Sequence, residues 1–242
     1  MPSPFVPFGT AHLTVIALAV LTPLLLANLV RRRPQHHVRV RWAFALFFAA
    51  DWVFWIALLQ ERGWMGWGNA LPMHLCDWAN IAILVTLLRP NRKSYELASF
   101  WTLGGTLPAL LMPALAYDFP DVRFIVFMSF HATIIASLLF LTFGAGLRPY
   151  PSSIRRTAIW SLIWVAAASL VNWTFGANYG FLAAKPPEHT PFDWFSPWPW
   201  YLPELAAVGA ALLFVWYAPW FVWDLMRRPA AQPAASGGTT AR

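Results

Sequence analysis

The sequence predicts an all-α polytopic membrane protein, a bundle of seven transmembrane helices with the N-terminus outside and the C-terminus inside. Three observations carry that reading. Of the 242 residues, 59% are hydrophobic and only 11% charged, against about 25% charged in a soluble domain. The apolar residues fall into seven stretches, each close to the roughly 20 residues a helix needs to cross a bilayer. The basic residues also alternate. Fourteen lie in the first, third and fifth connections and after the seventh stretch, whereas only Arg62, Arg123 and Lys185 lie in the others. Cytoplasmic loops carry the excess of Lys and Arg, and that excess sets the orientation.

The first stretch, 10–30, has no basic residue before it and Arg31, Arg32 and Arg33 after it. A signal peptide carries its charges the other way round, so an outward-starting anchor is expected rather than a cleaved leader. The second, 42–59, holds Asp51 near its middle. The third, 69–88, enters from outside and holds His74, Cys76, Asp77 and Asn80. The fourth, 97–116, contains Gly104, Gly105, Pro108 and Pro113. Proline kinks a helix, and small residues equally allow close packing. The fifth, 122–143, carries His131; the sixth, 154–175, ends near Asn172; the seventh, 203–223, begins at Glu204. One long outer connection, about 177–202, mixes five prolines with aromatic residues. It reads both as an aromatic belt at the headgroups and as a stiff lid over a site opening outward.

These stretches leave no room for a sizeable soluble domain. One membrane domain over 1–228 is expected, followed by a tail, 229–242, of Ala, Pro, Ser, Gly and Thr too poor in apolar residues to order itself. The net charge of +7 is spent on topology and on anionic lipid headgroups, so no nucleic-acid partner is expected. A single cysteine excludes an intramolecular disulfide. No Walker, Rossmann or His-Glu-x-x-His pattern occurs, no inverted repeat argues for a secondary transporter, and the last stretch lacks the lysine of a retinal protein.

The polar residues inside the stretches are sorted by depth. At ~1.5 Å per residue, His74, Cys76, Asp77, His131, Asn172, Asn178, Tyr179 and Glu204 fall toward the outer side, with Asp51 near the middle. An ionisable group in hydrocarbon costs roughly 2.5–3.5 kcal/mol, so this band predicts an outward-facing polar cavity. Cys76 and Asn80, four apart on one helix, share an azimuth. Cys76 is the candidate nucleophile and His131 its candidate base, since a thiol needs an imidazole in reach. His74, two residues before Cys76, points about 160° away on an ideal helix. Asp51 or Asp77 is expected to fix the histidine tautomer, and Asn or backbone N–H groups to hold an oxyanion. Equally, Cys76 reads as a small buried hydrophobe and His131 as a helix-to-helix hydrogen bond. His-x-Cys spacing splays metal ligands, so neither a metal nor another cofactor is expected. His12, His36, His37 and His189 are expected to be solvated.

The segment Leu71-Pro72-Met73-His74-Leu75-Cys76-Asp77 resembles the motif of the YwaF-like bacterial integral membrane family. Two more stretches agree: Asn172-Trp173 with Gly176-Ala177-Asn178-Tyr179 and Lys185-Pro186, and Pro197-Trp198-Pro199-Trp200-Tyr201. The resemblance runs from the second stretch to the seventh. That family is itself similar to a eukaryotic multi-span acyltransferase that moves fatty acyl chains between phospholipids through a membrane-embedded cysteine and histidine. The resemblance implies Cys76 as acyl-accepting nucleophile, His131 as base, a phospholipid or lysophospholipid partner and a bacterial inner membrane. The resulting expectation is a lipid acyltransferase or lipid hydrolase working through an acyl-cysteine in the outer half of the bilayer. The alternative is a non-catalytic seven-span protein that binds or transports a lipid or small ligand in the outward-facing cavity.

Overall fold

The computed structural model describes residues 3–226; the expected tail, 229–242, lies outside the described residues. In chain order the elements are α1 (Thr10–Arg32), α2 (His37–Glu61), α3 (Leu75–Leu88), α4 (Arg92–Trp101), a π-helical turn (Thr102–Thr106), α5 (Leu107–Leu111), α6 (Val122–Phe143), α7 (Pro151–Phe175) and α8 (Tyr201–Met226), with short 3₁₀ turns between some of them. Five helices, α1, α2, α6, α7 and α8, are long and apolar enough to cross a membrane. Each coincides with an expected stretch, α6 to the residue.

Two expected spans take another form. The third is not a continuous helix over 69–88: α3 starts only at Leu75. Pro72 offers no N–H and biases Leu71 away from helical angles. The Met73 N–H instead donates to the Leu71 carbonyl in a tight turn. The fourth is displaced. Its helical run covers Arg92 to Leu111 rather than 97–116, about 30 Å at 1.5 Å per residue. Pro108 cannot donate back to Gly104, and the chain widens into the π turn just before it, with the Leu107 N–H reaching the Thr102 carbonyl. Met112, ahead of Pro113, leaves the helix at φ −134°, as the residue before proline prefers.

α6 is the central helix. Its apolar window is 61% buried, against 6% for α8, and α1, α2, α3, α4, α5 and the π turn all pack on it. One core cluster joins Phe48, Ile83, Tyr95, Trp101, Ile134 and Leu138; another sets Ala19 of α1 and Leu110 of α5 against Phe124 and Met128 of α6. Leu25, Leu46, Leu162 and Phe214 are exposed on the outer helix faces. An apolar exterior of this extent is unfavourable in water and suits hydrocarbon.

The basic connections gather at one end of the bundle. Arg41 donates to the carbonyls of Leu87 (2.5 Å) and Leu88 (2.9 Å), the unsatisfied last carbonyls of α3. Arg92 reaches Ser152 (2.9 Å) and Arg148 reaches Asp224 (2.5 Å). At the other end the Phe5 N–H donates to Ala116 (3.2 Å) and the Asp118 N–H to Ser3 (2.9 Å), tying the N-terminal segment to the chain ahead of α6.

Candidate functional site

The site is built where α3 begins. The non-helical chain ahead of it needs partners for its backbone groups, because water is absent from hydrocarbon. Tyr179, fully buried, supplies several. Its hydroxyl donates to the Trp67 carbonyl (2.6 Å) and accepts from the Leu71 N–H (3.0 Å). Trp164 Nε1 of α7 donates to the Met73 carbonyl (3.0 Å). His74 is the N-cap of α3, with extended backbone. Asp77 Oδ2 accepts from the His74 N–H (2.8 Å), the reach-back of a capping box. Because His74 precedes the helix, the ideal-helix angle between His74 and Cys76 does not apply.

The two histidines of the site take opposite tautomers. His74 Nδ1 accepts from the Gly180 N–H (3.3 Å), and its ring stands edge-on to Tyr179 at 5.0 Å. With Nδ1 accepting, the proton of neutral His74 is on Nε2. His131 has the opposite form. Its Nδ1 donates to the Phe127 carbonyl (2.8 Å) one turn earlier on α6, and its ring stacks on Phe127 at 4.0 Å. Nε2 of neutral His131 therefore carries a free lone pair.

Cys76 is the second residue of α3, half-buried, and packs against the core cluster around Ala79 and Ile134. The Cys76 N–H is one of the donors that the first turn of a helix leaves free, whereas the Asp77 N–H donates to the His74 carbonyl (3.1 Å). Among the described residues no hydrogen bond joins the thiol to an imidazole.

The expected supporting residues divide. Asp51 does not orient a histidine: its Oδ1 accepts from the Ser129 hydroxyl (2.8 Å) across α2 and α6. Asp77 caps α3 instead. The tautomers are set by a carbonyl and an N–H of the backbone, not by either carboxylate. Asn80 is buried one turn below Cys76, and its Oδ1 has no hydrogen-bond partner among the described residues. The same holds for the hydroxyls of Thr102 and Thr106 on the π turn and Ser137 on α6, and these three elements pack on one another. Gly105 of the π turn lets α3 come close: a Cβ there would lie 3.0 Å from Leu75. Native interiors leave few polar atoms unbonded, so four such atoms on elements that pack together set this region apart from the apolar core.

Asn172, Asn178, Tyr179 and Glu204 organise the outer connection over the site. Asn172 Oδ1 accepts from the Tyr179 N–H (2.7 Å) and its Nδ2 donates to the Tyr179 carbonyl (3.0 Å). Asn178 accepts from Ala183 and Ala184 and donates to Ala184. Glu204 accepts from the N–H and hydroxyl of Ser196 (2.8 and 2.5 Å). Gly180 turns at φ +65° beneath Trp164, which aims its N–H at His74.

Two buried polar residues escape the sequence reading. His12 is not solvated: it is fully buried, accepting from Phe8 (2.9 Å) and donating to the Leu110 carbonyl (2.7 Å). Glu96 is fully buried at the basic end, paired with Arg92 (2.5 Å) and Arg156. The Arg92–Glu96 spacing is a helical i,i+4 pair visible in sequence, whereas Arg156 arrives from another helix.

Compared with known proteins, the chain matches no curated protein and no solved structure, but residues 7–217 match a family model that spans the bundle from the segment ahead of α1 into α8. On that match the chain belongs to the TMEM164 family, a family of membrane proteins.

Proposed function

We propose that this protein is a membrane-embedded lipid acyltransferase or lipid hydrolase that works through an acyl-cysteine on Cys76, with His131 as base. One observation supports the reading above the others: His131 spends Nδ1 on the Phe127 carbonyl and keeps Nε2 open, the form a general base needs. The thiol belongs to the first turn of α3, a helix start where negative charge is favoured.

In this reading the chain crosses the bilayer seven times, the N-terminus outside, in a bacterial cytoplasmic membrane. α3, with 14 residues, covers about 21 Å of a core about 30 Å thick. Its start therefore lies roughly 9 Å beneath the outer boundary, within reach of a phospholipid ester. Nε2 takes the thiol proton as Sγ attacks the ester carbonyl. The S–C bond forms, the ester C–O bond breaks, and the proton passes to the departing lysophospholipid oxygen. A second lysophospholipid hydroxyl or water then attacks the thioester, giving its proton to Nε2 and returning the thiol. The Cys76 N–H, open at the start of α3, holds the oxyanion in both steps.

The test is the purified chain in nanodiscs with a phospholipid carrying a labelled acyl chain. The expected results are an intact mass raised by one acyl group on Cys76 and acyl release or exchange that Cys76→Ser and His131→Ala each abolish. Turnover unchanged in both variants overturns the proposal. A second reading, a non-catalytic lipid- or ligand-binding protein, draws on the absence of a thiol–imidazole hydrogen bond among the described residues. It predicts ligand-dependent thermal stabilisation that Cys76→Ala leaves intact.

A further inference from the structure

At the end of the bundle remote from Cys76, a cleft of about 390 Å³ opens between the starts of α4 and α7, lined by Asn91, Arg92, Lys93, Ser152 and Arg156. Three of those five side chains are cationic. One carboxylate lies beneath them: Glu96, fully buried, bonded to Arg92 through one oxygen and to Arg156 through the other. Three positive charges against one negative leave the cleft with a surplus.

Its cations are held in place. Arg92 is fixed on three sides, by Glu96 Oε1 (2.5 Å), by the Ser152 hydroxyl (2.9 Å) and by the Tyr150 ring 3.7 Å below its guanidinium. Arg156 is held by Glu96. Lys93 makes no hydrogen bond or ion pair among the described residues, so its ammonium is free for a ligand. Two helices also begin here. Asn91 caps α4 by accepting from the Ser94 N–H (2.9 Å), and Ser153 is bonded to Tyr150 at the head of α7. The N–H groups of Arg92 and Lys93 in α4 and of Ser152 in α7 make no hydrogen bond among the described residues, while Pro151 has none and Ser153 donates to the Tyr150 carbonyl (2.9 Å); with the dipoles behind them the open groups favour an anion. Guanidinium forks match the oxygens of a phosphate.

We propose that this cleft binds a phosphate group. The ligand is either the headgroup of an anionic phospholipid in the adjoining leaflet or a free phosphate. The site is independent of the acyl chemistry assigned to Cys76, and neither reading falls with the other.

The test uses the full chain in two arms. In the first, nanodiscs of phosphatidylcholine containing one part in five phosphatidylglycerol are prepared, and lipid retained by the protein is read by native mass spectrometry. In the second, the chain in pure phosphatidylcholine nanodiscs is titrated with inorganic phosphate, with chloride at matched ionic strength as reference, and thermal stability is followed. The first variant is Lys93→Gln, which breaks no contact in the fold; Lys93→Glu reverses the charge. Arg39→Gln, at the same end but outside the cleft, controls for general surface charge. Lys93→Gln is expected to weaken retention or phosphate stabilisation about fivefold, the factor one basic residue supplies at a charged surface, and Lys93→Glu to weaken it further, with Arg39→Gln unchanged. Retained phosphatidylglycerol without a phosphate effect assigns the site to a lipid headgroup; phosphate stabilisation without retention assigns it to free phosphate. No effect in either arm, or an equal loss in Arg39→Gln, overturns the proposal.

Discussion

Replacing Asn172 with alanine tests whether the roof of the site is held by buried polar pairing. Asn172 is 7% exposed and Tyr179 is fully buried. The amide side chain satisfies both the N–H (2.7 Å) and the carbonyl (3.0 Å) of Tyr179. Alanine leaves the Tyr179 N–H buried without a partner, at about 1–3 kcal/mol, while the Tyr179 carbonyl still accepts from the Leu182 N–H (3.3 Å). For a chain of this size each kcal/mol lowers Tm by about 2–4 °C, so a fall of at least about 2 °C is expected. Asn178→Ala is the control. It removes three hydrogen bonds rather than two, but all three are solvent-exposed, water replaces them, and the loss is expected below about 1 kcal/mol. Intrinsic-fluorescence melting of the three proteins in matched nanodiscs reads the comparison. If Asn178→Ala melts as low as Asn172→Ala, or if Asn172→Ala melts with the parent, the reasoning from burial is wrong.

Gly180→Ala is expected to cost about 1–3 kcal/mol, because alanine is strained at φ +65° and its Cβ would lie 2.6 Å from Trp164. Gly66→Ala, with nothing within 4 Å, should stay within about 1 kcal/mol of the parent in the same melt. Hydrogen bonds from Arg123 hold the Asp121 carboxyl down at about 2, below the ordinary value near 3.9. The pair's stabilisation is therefore full above about pH 4 and is lost as the pH falls through about 2; carbon-13 NMR of Asp121 should titrate near 2 in the parent and nearer 4 in Arg123→Gln. Arg148→Ala breaks a partly exposed ion pair with Asp224 and should cost no more than about 1 kcal/mol, read by the same melting assay.

The long helices are legible from composition because each needs only an apolar run of the right length. The third and fourth segments show where that rule fails. Hydropathy treats Leu71 to Met73 as it treats Ile81 to Ile83, but the missing N–H of Pro72 starts α3 six residues later than the apolar pattern does. Gly104, Gly105 and Pro108 point to a kink and to close packing equally, and nothing in the pattern says that the backbone absorbs the proline as a π turn. At the site, His74, Cys76, Asp77, Asn80 and His131 stand out as polar residues in apolar surroundings. Their bonding did not, because the decisive partners of the two histidines are the Phe127 carbonyl and the Gly180 N–H, and backbone groups leave no mark in a sequence. Glu96 and His12 were hidden for a related reason. They lie at the ends of apolar runs, where charge and imidazole look like ordinary boundary residues, and their burial comes from chain segments far away in sequence.

The π turn ties two distant parts of the molecule to a single surplus residue. Deleting that residue would return the run to ordinary winding with little rotation beyond it, because five residues of π winding and four of ordinary helix close nearly the same arc. Winding the same five residues as ordinary helix, with none deleted, would instead carry Leu110 roughly 100° round, its side chain off α6 and its carbonyl away from His12. The anchorage of α1 at its outer end is thus kept by the wide winding of another helix, so a deletion within that turn should leave the N-terminal helix seated, whereas a deletion in the ordinary winding of α4 should loosen it.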